Sequence, residues 1–122
     1  VGEVWAFLAT RVNCCRAAGI ADDRIVLDPG FGFGKTLAHN LALFRSLTVT
    51  GVDRLPVLIG ASRKSMLGAI TGRPVAGRMA ASIAAALLAV QKGAKILRVH
   101  DVAETIDALA VLAAVEERRG LQ

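Results

Sequence analysis

Apolar residues recur along this chain with two distinct spacings. Steps of three and four residues, typical of helices that pack along one face, occur in four segments: 1–18, 37–47, 78–92 and a last segment that begins at 102. Short and nearly continuous apolar runs, typical of strands covered on both faces, lie between them at 24–27, 55–59 and 94–99. One further helical turn is predicted over 65–70. The sequence therefore predicts helices and strands in alternation.

This alternation predicts the class of fold. Helices that follow strands at this spacing form right-handed βαβ units around a parallel sheet. Three parallel strands with four helices would leave both outer strand edges unpaired and much apolar surface uncovered. We therefore expect residues 1–122 to be a single partial domain of an α/β protein, either a fragment of a (β/α)8 TIM barrel or a half that a partner completes.

Composition narrows the class of protein. The hydrophobic fraction of 54% argues against disorder, and no apolar run reaches the roughly 18 residues that a membrane span needs. Cys14 and Cys15 are adjacent and no other cysteine is present, which excludes an internal disulfide framework and a zinc site built on cysteine. We expect a cytoplasmic protein without a secretory signal. The net charge of +5 is spread without interleaved aromatic residues, so small anionic ligands are favoured over nucleic acid.

Polar residues follow each predicted strand. Asp28 comes after the first strand, the loop 60–64 after the second, and Arg98 and His100 close the third. The carboxyl ends of parallel strands share one edge of a sheet, and ligands of α/β proteins bind there. Arg98 and His100 are two positions apart, so both side chains point to the same face of an extended segment. A guanidinium beside an imidazole is well suited to binding phosphate.

The glycine-rich loop after Asp28 does not fit the common phosphate-binding motifs. Glycine alternates with phenylalanine over residues 30–34, which allows a flat ligand to approach the backbone. A Walker A loop would need glycine where Pro29 stands. The dinucleotide pattern would need glycine where Lys35 or Leu37 stands. The anion is therefore better assigned to Arg98 and His100.

Each candidate also has an ordinary structural interpretation. Asp28 could simply begin a turn, and Phe33 could belong to the core. Lys64 could be a solvated charge, and Ser62 or Ser65 could cap a helix. We assign His39 and Asn40 to the surface or the packing of their helix.

Three motifs together resemble dihydropteroate synthase: DPGFGFGKT at 28–36, GASRKSMLG at 60–68 and RVHDV at 98–102. They match that family in kind, order and spacing. The resemblance implies the C-terminal half of a (β/α)8 barrel, from its fifth helix through strands six, seven and eight. It also implies a transferase of folate biosynthesis. That reaction joins p-aminobenzoate to 6-hydroxymethyl-7,8-dihydropterin pyrophosphate, giving 7,8-dihydropteroate and pyrophosphate.

The resemblance also implies roles for individual residues. Asp28 would hydrogen-bond the pterin ring, and Lys64 would reach the pterin near the aminobenzoate. Arg98 and His100 would hold the pyrophosphate and, with Lys64, would carry the catalysis. The remaining substrate-binding positions are Gly60, at the start of the second motif, and Phe33 and Ser65, which would line the aminobenzoate pocket where sulfonamides compete.

Further expectations concern the cofactor and partners. Mg²⁺ is implied on the pyrophosphate, with its asparagine ligand outside this sequence, so no metal ligand is assigned here. A homodimer through the late helices is implied, with neither nucleic acid nor membrane as a partner, and these 122 residues are expected to be inactive alone. Two alternatives remain open: a half-barrel without catalysis, and a phosphate-binding α/β module that acts with a partner.

Overall fold

Five α-helices and two short strands make up the described part of the chain. The computed structural model describes residues 2–32, 35–47, 52 and 54–116. In chain order the elements are α1 (Gly2–Ala17), α2 (Leu37–Arg45), β1 (Leu58–Ile59), α3 (Ser65–Thr71), α4 (Met79–Gln91), β2 (Ile96–Leu97) and α5 (Val102–Glu116). Single 3-10 turns lie at Asp22–Arg24 and Val75–Gly77.

The sheet is parallel, as the sequence predicted. Leu58 lies opposite Ile96, and Ile59 lies opposite Leu97. Leu27 joins the same layer through one parallel bridge to Val57. The chain is therefore an α/β structure whose strands run in one direction.

The predicted first strand over 24–27 is wrong for most of its length. Residues Asp22–Arg24 form a 3-10 turn, in which the N–H group of Ile25 donates to Asp22 O. Because this donor is used locally, the chain pairs with its neighbour only from Leu27, whose N–H donates to Pro56 O at 2.9 Å. The strands predicted over 55–59 and 94–99 are also shorter in the structure, with two strand residues each.

The four long helices are confirmed to within two residues at the ends that the structure describes, and the turn predicted over 65–70 is the seven-residue helix α3. Glycine ends two of them in the predicted way. Gly19 and Gly93 both have positive φ angles, +89° and +102°, which an L side chain would resist. This conformation lets the next N–H group turn back to the last helical turn, as Ala94 N–H does to Ala89 O at 3.0 Å.

The core lies between the helices and one face of the sheet. Phe31 is 1% exposed and its ring centroid is 5.4 Å from that of Phe44 on α2. Helix α4 buries Ala85, Ala86 and Ala89, whose small side chains allow the helix to approach the sheet closely. This packing fixes the strand ends relative to the loops that follow them. None of the described helices is long and apolar enough to cross a membrane.

Candidate functional site

The structure brings Asp28 and Arg98 together at the carboxyl edge of the sheet. Arg98 Nη1 lies 3.2 Å from Asp28 Oδ2, and both side chains are partly exposed. The family resemblance noted in the sequence implies that the two residues bind different parts of the substrate. Their pairing means that the proposed pterin and anion sites adjoin each other.

Arg98 packs closely against the backbone of Gly60. An ideal Cβ built on this buried residue would lie only 2.7 Å from Arg98 Cζ, so the guanidinium rests directly on the glycine backbone. The Arg98 N–H group also donates to Ile59 O at 3.0 Å, which continues the strand pairing past β2. Glycine at position 60 therefore leaves room for the guanidinium, which lies where a side chain would begin.

Asp28 also begins the turn that the ordinary interpretation suggested. Its Oδ1 accepts the N–H of Gly30 at 2.9 Å. The loop is fixed further on by Lys35, whose Nζ donates to Gly30 O at 2.6 Å. The turn and the ion pair use different carboxylate oxygens, so the two roles are compatible.

Asn40 anchors the glycine loop to α2, a role that sequence reasoning missed. Its Oδ1 accepts the N–H of Gly32 at 3.0 Å, and the residue is 3% exposed. Its position three residues before Leu43, on the buried face of α2, was a signal in the sequence. An amide on an apolar face needs a hydrogen-bond partner, and the adjacent glycine loop supplies one.

Lys64 and Ser65 lie where the second motif meets α3. Lys64 precedes the helix, is partly buried, and has Cδ 3.6 Å from the place that a Cβ on Gly32 would occupy. Ser65 is the exposed first residue of α3. The helix-cap interpretation is wrong for both candidate serines, because Lys64 occupies the N-cap position and makes no side-chain cap bond.

His100 is held by Ser62. The Oγ of Ser62 lies 2.9 Å from His100 Nδ1 and accepts the His100 backbone N–H at 3.3 Å. The neighbouring residues are joined as well, since Arg63 Nη2 lies 3.1 Å from Asp101 Oδ1. Sequence reasoning had considered Ser62 only as a helix cap.

Phe33, the predicted wall of the aminobenzoate pocket, lies outside the described residues. The other phenylalanine of the loop, Phe31, is a core residue. Within the described ranges, no three or more His, Cys, Asp or Glu side chains are grouped so that they could hold a metal ion.

A family model and the sequences of known proteins both point to the same family. The model of the pterin binding enzyme family matches residues 1–100. The dihydropteroate synthase of Haemophilus influenzae is 53% identical over 111 residues, which are 91% of this chain and 40% of that protein. The chain thus spans about two fifths of the length of such relatives.

Solved structures agree with this comparison. The Burkholderia cenocepacia dihydropteroate synthase complexed with 7,8-dihydropteroate superposes with a TM-score of 0.92 at 52% identity, over 95% of this chain and 44% of that one. The Xanthomonas albilineans dihydropteroate synthase with 4-aminobenzoic acid gives a TM-score of 0.92 at 50% identity, again over 95% and 44%.

Proposed function

The chain belongs to the pterin-binding enzyme family, and we propose that it is part of a dihydropteroate synthase of folate biosynthesis. The proposed enzyme condenses 6-hydroxymethyl-7,8-dihydropterin pyrophosphate with p-aminobenzoate and releases pyrophosphate. The observation that supports the proposal is the contact between Asp28 and Arg98, because the carboxylate proposed to accept from the pterin lies beside the guanidinium proposed to donate to the pyrophosphate. Such an arrangement suits a substrate that joins a pterin to a pyrophosphate.

We propose that the chain forms the C-terminal half of a (β/α)8 barrel. The order of the three motifs supports this position. Two exposed side chains of the sheet layer also support the idea that the barrel is incomplete here. Val26, next to the bridge residue Leu27, is 46% exposed, and Ile96 on β2 is 40% exposed. Apolar residues of a parallel sheet are normally covered on both faces. The remaining strands and helices of the barrel would cover them.

In this proposal Asp28 holds the pterin ring. A carboxylate has about four lone-pair sites on its two oxygens. Gly30 N–H and Arg98 use one site on each oxygen, so acceptor capacity remains for the paired N–H groups of a pterin. The fixed turn at Gly30 would keep the carboxylate oriented toward the ring.

Arg98 and His100 would bind the pyrophosphate. Its departure breaks the bond between the pterin methylene carbon and the pyrophosphate oxygen, and the arylamine nitrogen then bonds to that carbon and loses a proton. Negative charge on the leaving oxygen grows during this step. A guanidinium and an imidazole N–H therefore interact most strongly in the transition state, which is the condition for accelerating the reaction.

Lys64 would act between the two substrates. Its stem lies beside the loop residue Gly32, and its neighbour Ser65 begins α3 at the same edge. We propose that Lys64 contacts the pterin near the incoming amine and that Ser65 and Phe33 line the aminobenzoate pocket. Sulfonamides, which resemble p-aminobenzoate, would compete there.

We also propose three properties of the whole enzyme. Mg²⁺ would accompany the pyrophosphate, held by a protein ligand outside this chain. A homodimer would form through the late helices, which expose apolar residues such as Leu88 on α4 and Val111 on α5. The enzyme would act in the cytoplasm. Size-exclusion chromatography with light scattering would test the dimer.

Replacement of Lys64 tests the proposed function. In the full-length protein, Lys64→Ala should lower the rate of dihydropteroate formation by about 100-fold or more, since it removes a charge at the reacting groups. Circular dichroism should show an unchanged fold. Lys95→Ala is the matched control, because Lys95 is exposed and precedes β2 at the opposite end of the strand. Turnover like the wild type in Lys64→Ala would contradict the assignment.

A second measurement separates the enzyme from the alternatives. These 122 residues alone should bind a pterin pyrophosphate weakly or not at all in calorimetry and should not turn it over. Full catalysis by the isolated chain would refute the half-barrel. A full-length protein that binds inorganic pyrophosphate but no pterin would indicate a phosphate-binding module instead.

A further inference from the structure

Ser62 makes two separate contacts with one residue, His100. Its Oγ lies 2.9 Å from Nδ1 of the imidazole and 3.3 Å from the backbone nitrogen of the same residue. Ser62 is 8% exposed, whereas His100 lies at the exposed edge of the site. A buried hydroxyl thus fixes one ring nitrogen of a surface imidazole.

The donors and acceptors around Ser62 favour one tautomer of the ring. A serine hydroxyl has one proton to donate and two lone pairs. One lone pair accepts the His100 N–H, and the hydroxyl proton is available to Nδ1. A neutral ring that accepts at Nδ1 carries its own proton on Nε2, and that N–H is then the group that can donate to an anion.

The backbone around Ser62 is held firmly. Arg63 has a φ of +58°, which is costly for a residue with a side chain and persists only where the surroundings impose it. Its N–H donates to Ser82 Oγ at 2.9 Å, and its guanidinium lies 3.1 Å from Asp101. Ser62 and Arg63, in the loop after β1, therefore contact His100 and Asp101, in the loop after β2.

We propose that Ser62 is a positioning residue that fixes the orientation and the Nε2–H tautomer of His100, so that the imidazole donates to the leaving pyrophosphate. This inference rests on the proposed function, because His100 is the residue that would bind that anion. Ser62 itself touches only the histidine.

The test uses ¹⁵N NMR of the histidine rings in the full-length protein, with the His100 signals identified from a His100→Gln variant. The wild type should show the proton of the neutral ring on Nε2. Ser62→Ala should move the equilibrium toward the Nδ1–H form and lower kcat by about 10- to 100-fold, the range for a misplaced catalytic group. KM for p-aminobenzoate should stay within about twofold, as expected when transition-state binding alone is lost.

Ser82→Ala is the matched control, because it removes a buried hydroxyl from the same region that contacts Arg63 and not His100. It should reduce thermal stability and leave the His100 tautomer unchanged. Ser62→Thr keeps the hydroxyl and should retain the wild-type tautomer and most of the wild-type kcat. If the Ser62→Ala protein does not fold, the tautomer and the kcat of Ser62→Thr still test the role of the hydroxyl.

The outcomes separate this inference from the proposed function. An unchanged tautomer in Ser62→Ala, or an unchanged kcat despite a changed tautomer, overturns the positioning role. Loss of the Nε2–H form in a folded Ser62→Thr protein overturns it as well. A wild-type protein without synthase activity would refute the proposed function, and the NMR result would still decide whether Ser62 sets the tautomer.

Discussion

Arg98 and Asp28 are 70 residues apart in the chain, and Arg98 Nη1 lies 3.2 Å from Asp28 Oδ2. The pair links the end of β2 to the glycine loop. The side chains are 55% and 39% exposed, so the pair contributes no more than about 1 kcal/mol to stability. Its proposed importance lies in binding, because a negative and a positive group share one small region.

Replacing Asp28 should separate the pterin site from the anion site. In the full-length protein, Asp28→Asn keeps an oxygen for the Gly30 N–H and loses the charge that accepts the pterin. Binding of 7,8-dihydropterin should weaken by about 10- to 100-fold, the value of one charged hydrogen bond. Binding of inorganic pyrophosphate should stay the same or tighten, because Arg98 loses a competing anion. Calorimetry measures both.

Arg98→Ala is the reciprocal variant. It should weaken pyrophosphate binding at least about tenfold and leave the affinity for the pterin nearly unchanged. The free energy of unfolding should change by less than about 1 kcal/mol in either variant. If Asp28→Asn weakened pyrophosphate binding as strongly as Arg98→Ala, Asp28 would be required to position Arg98, and the two sites would not be independent.

The close approach of Arg98 to Gly60 gives a second prediction. A methyl group in Gly60→Ala would meet the guanidinium, which is the far end of a flexible side chain and can move aside. We expect the fold to be retained and pyrophosphate binding by the full-length protein to weaken about tenfold, a loss of about 1.4 kcal/mol. Calorimetry with pyrophosphate and a thermal melt measure the two effects.

Gly2→Ala is the control for this substitution. Nothing lies within 4 Å of a Cβ at Gly2, and its φ is not positive. Pyrophosphate binding should therefore match the wild type. A Gly60→Ala protein that binds pyrophosphate normally would show that the position of Arg98 over the glycine is not needed for the anion.

The pair of Arg16 and Asp22 predicts a dependence of stability on pH. Arg16 donates from Nε and Nη2 to the two carboxylate oxygens at 2.9 Å each, and this hydrogen bonding lowers the pKa of Asp22. A carboxyl whose pKa is lowered by folding stabilises the protein above its unfolded pKa, about 3.9 for Asp. The contribution is lost as the pH falls from there through the lowered pKa.

Thermal melts of the full-length protein from neutral pH downward measure this effect. The melting temperature of Asp22→Asn should lie below that of the wild type at neutral pH. The difference should disappear in acid, as Asp22 of the wild type is protonated. Asp23→Asn removes the exposed neighbouring carboxyl and should show a smaller difference at neutral pH. A difference for Asp22→Asn that is constant with pH would mean that charge plays no part in it.

Periodicity predicted the helices well because their apolar positions repeat over many residues. Helix α4 was expected over 78–92 and spans Met79–Gln91. The strands were less predictable, since each has few residues and its limits depend on where a neighbour begins to pair. The 3-10 turn that uses the N–H of Ile25 could not be read from the apolar run that follows it.

The candidate site was likewise predictable in part. The alternation of elements was enough to place Asp28 and Arg98 on one edge of the sheet, and the structure brings them into contact. Their salt bridge, and the contact of Ser62 with His100, depend on how loops far apart in sequence meet. Such contacts leave no periodic signal. The individual roles in binding and catalysis stay predictions that the variants above test.

The buried amide of Asn40 gives the last prediction. Its Oδ1 accepts the N–H of Gly32, so Asn40→Ala would leave that N–H without its partner and open space beside the loop. We expect the full-length protein to lose about 1–3 kcal/mol in urea unfolding, and pterin binding to weaken because the loop that carries Asp28 is less ordered.

Two variants serve as controls for the anchor. His39→Ala changes the exposed neighbour on α2, whose backbone and not its ring contacts Thr36, and should leave stability and binding close to the wild type. Asn40→Asp keeps an oxygen that can accept the Gly32 N–H and should recover part of the binding. If Asn40→Ala lost stability without any change in pterin affinity, the amide would serve the core alone. The glycine loop would then hold Asp28 in place without help from α2.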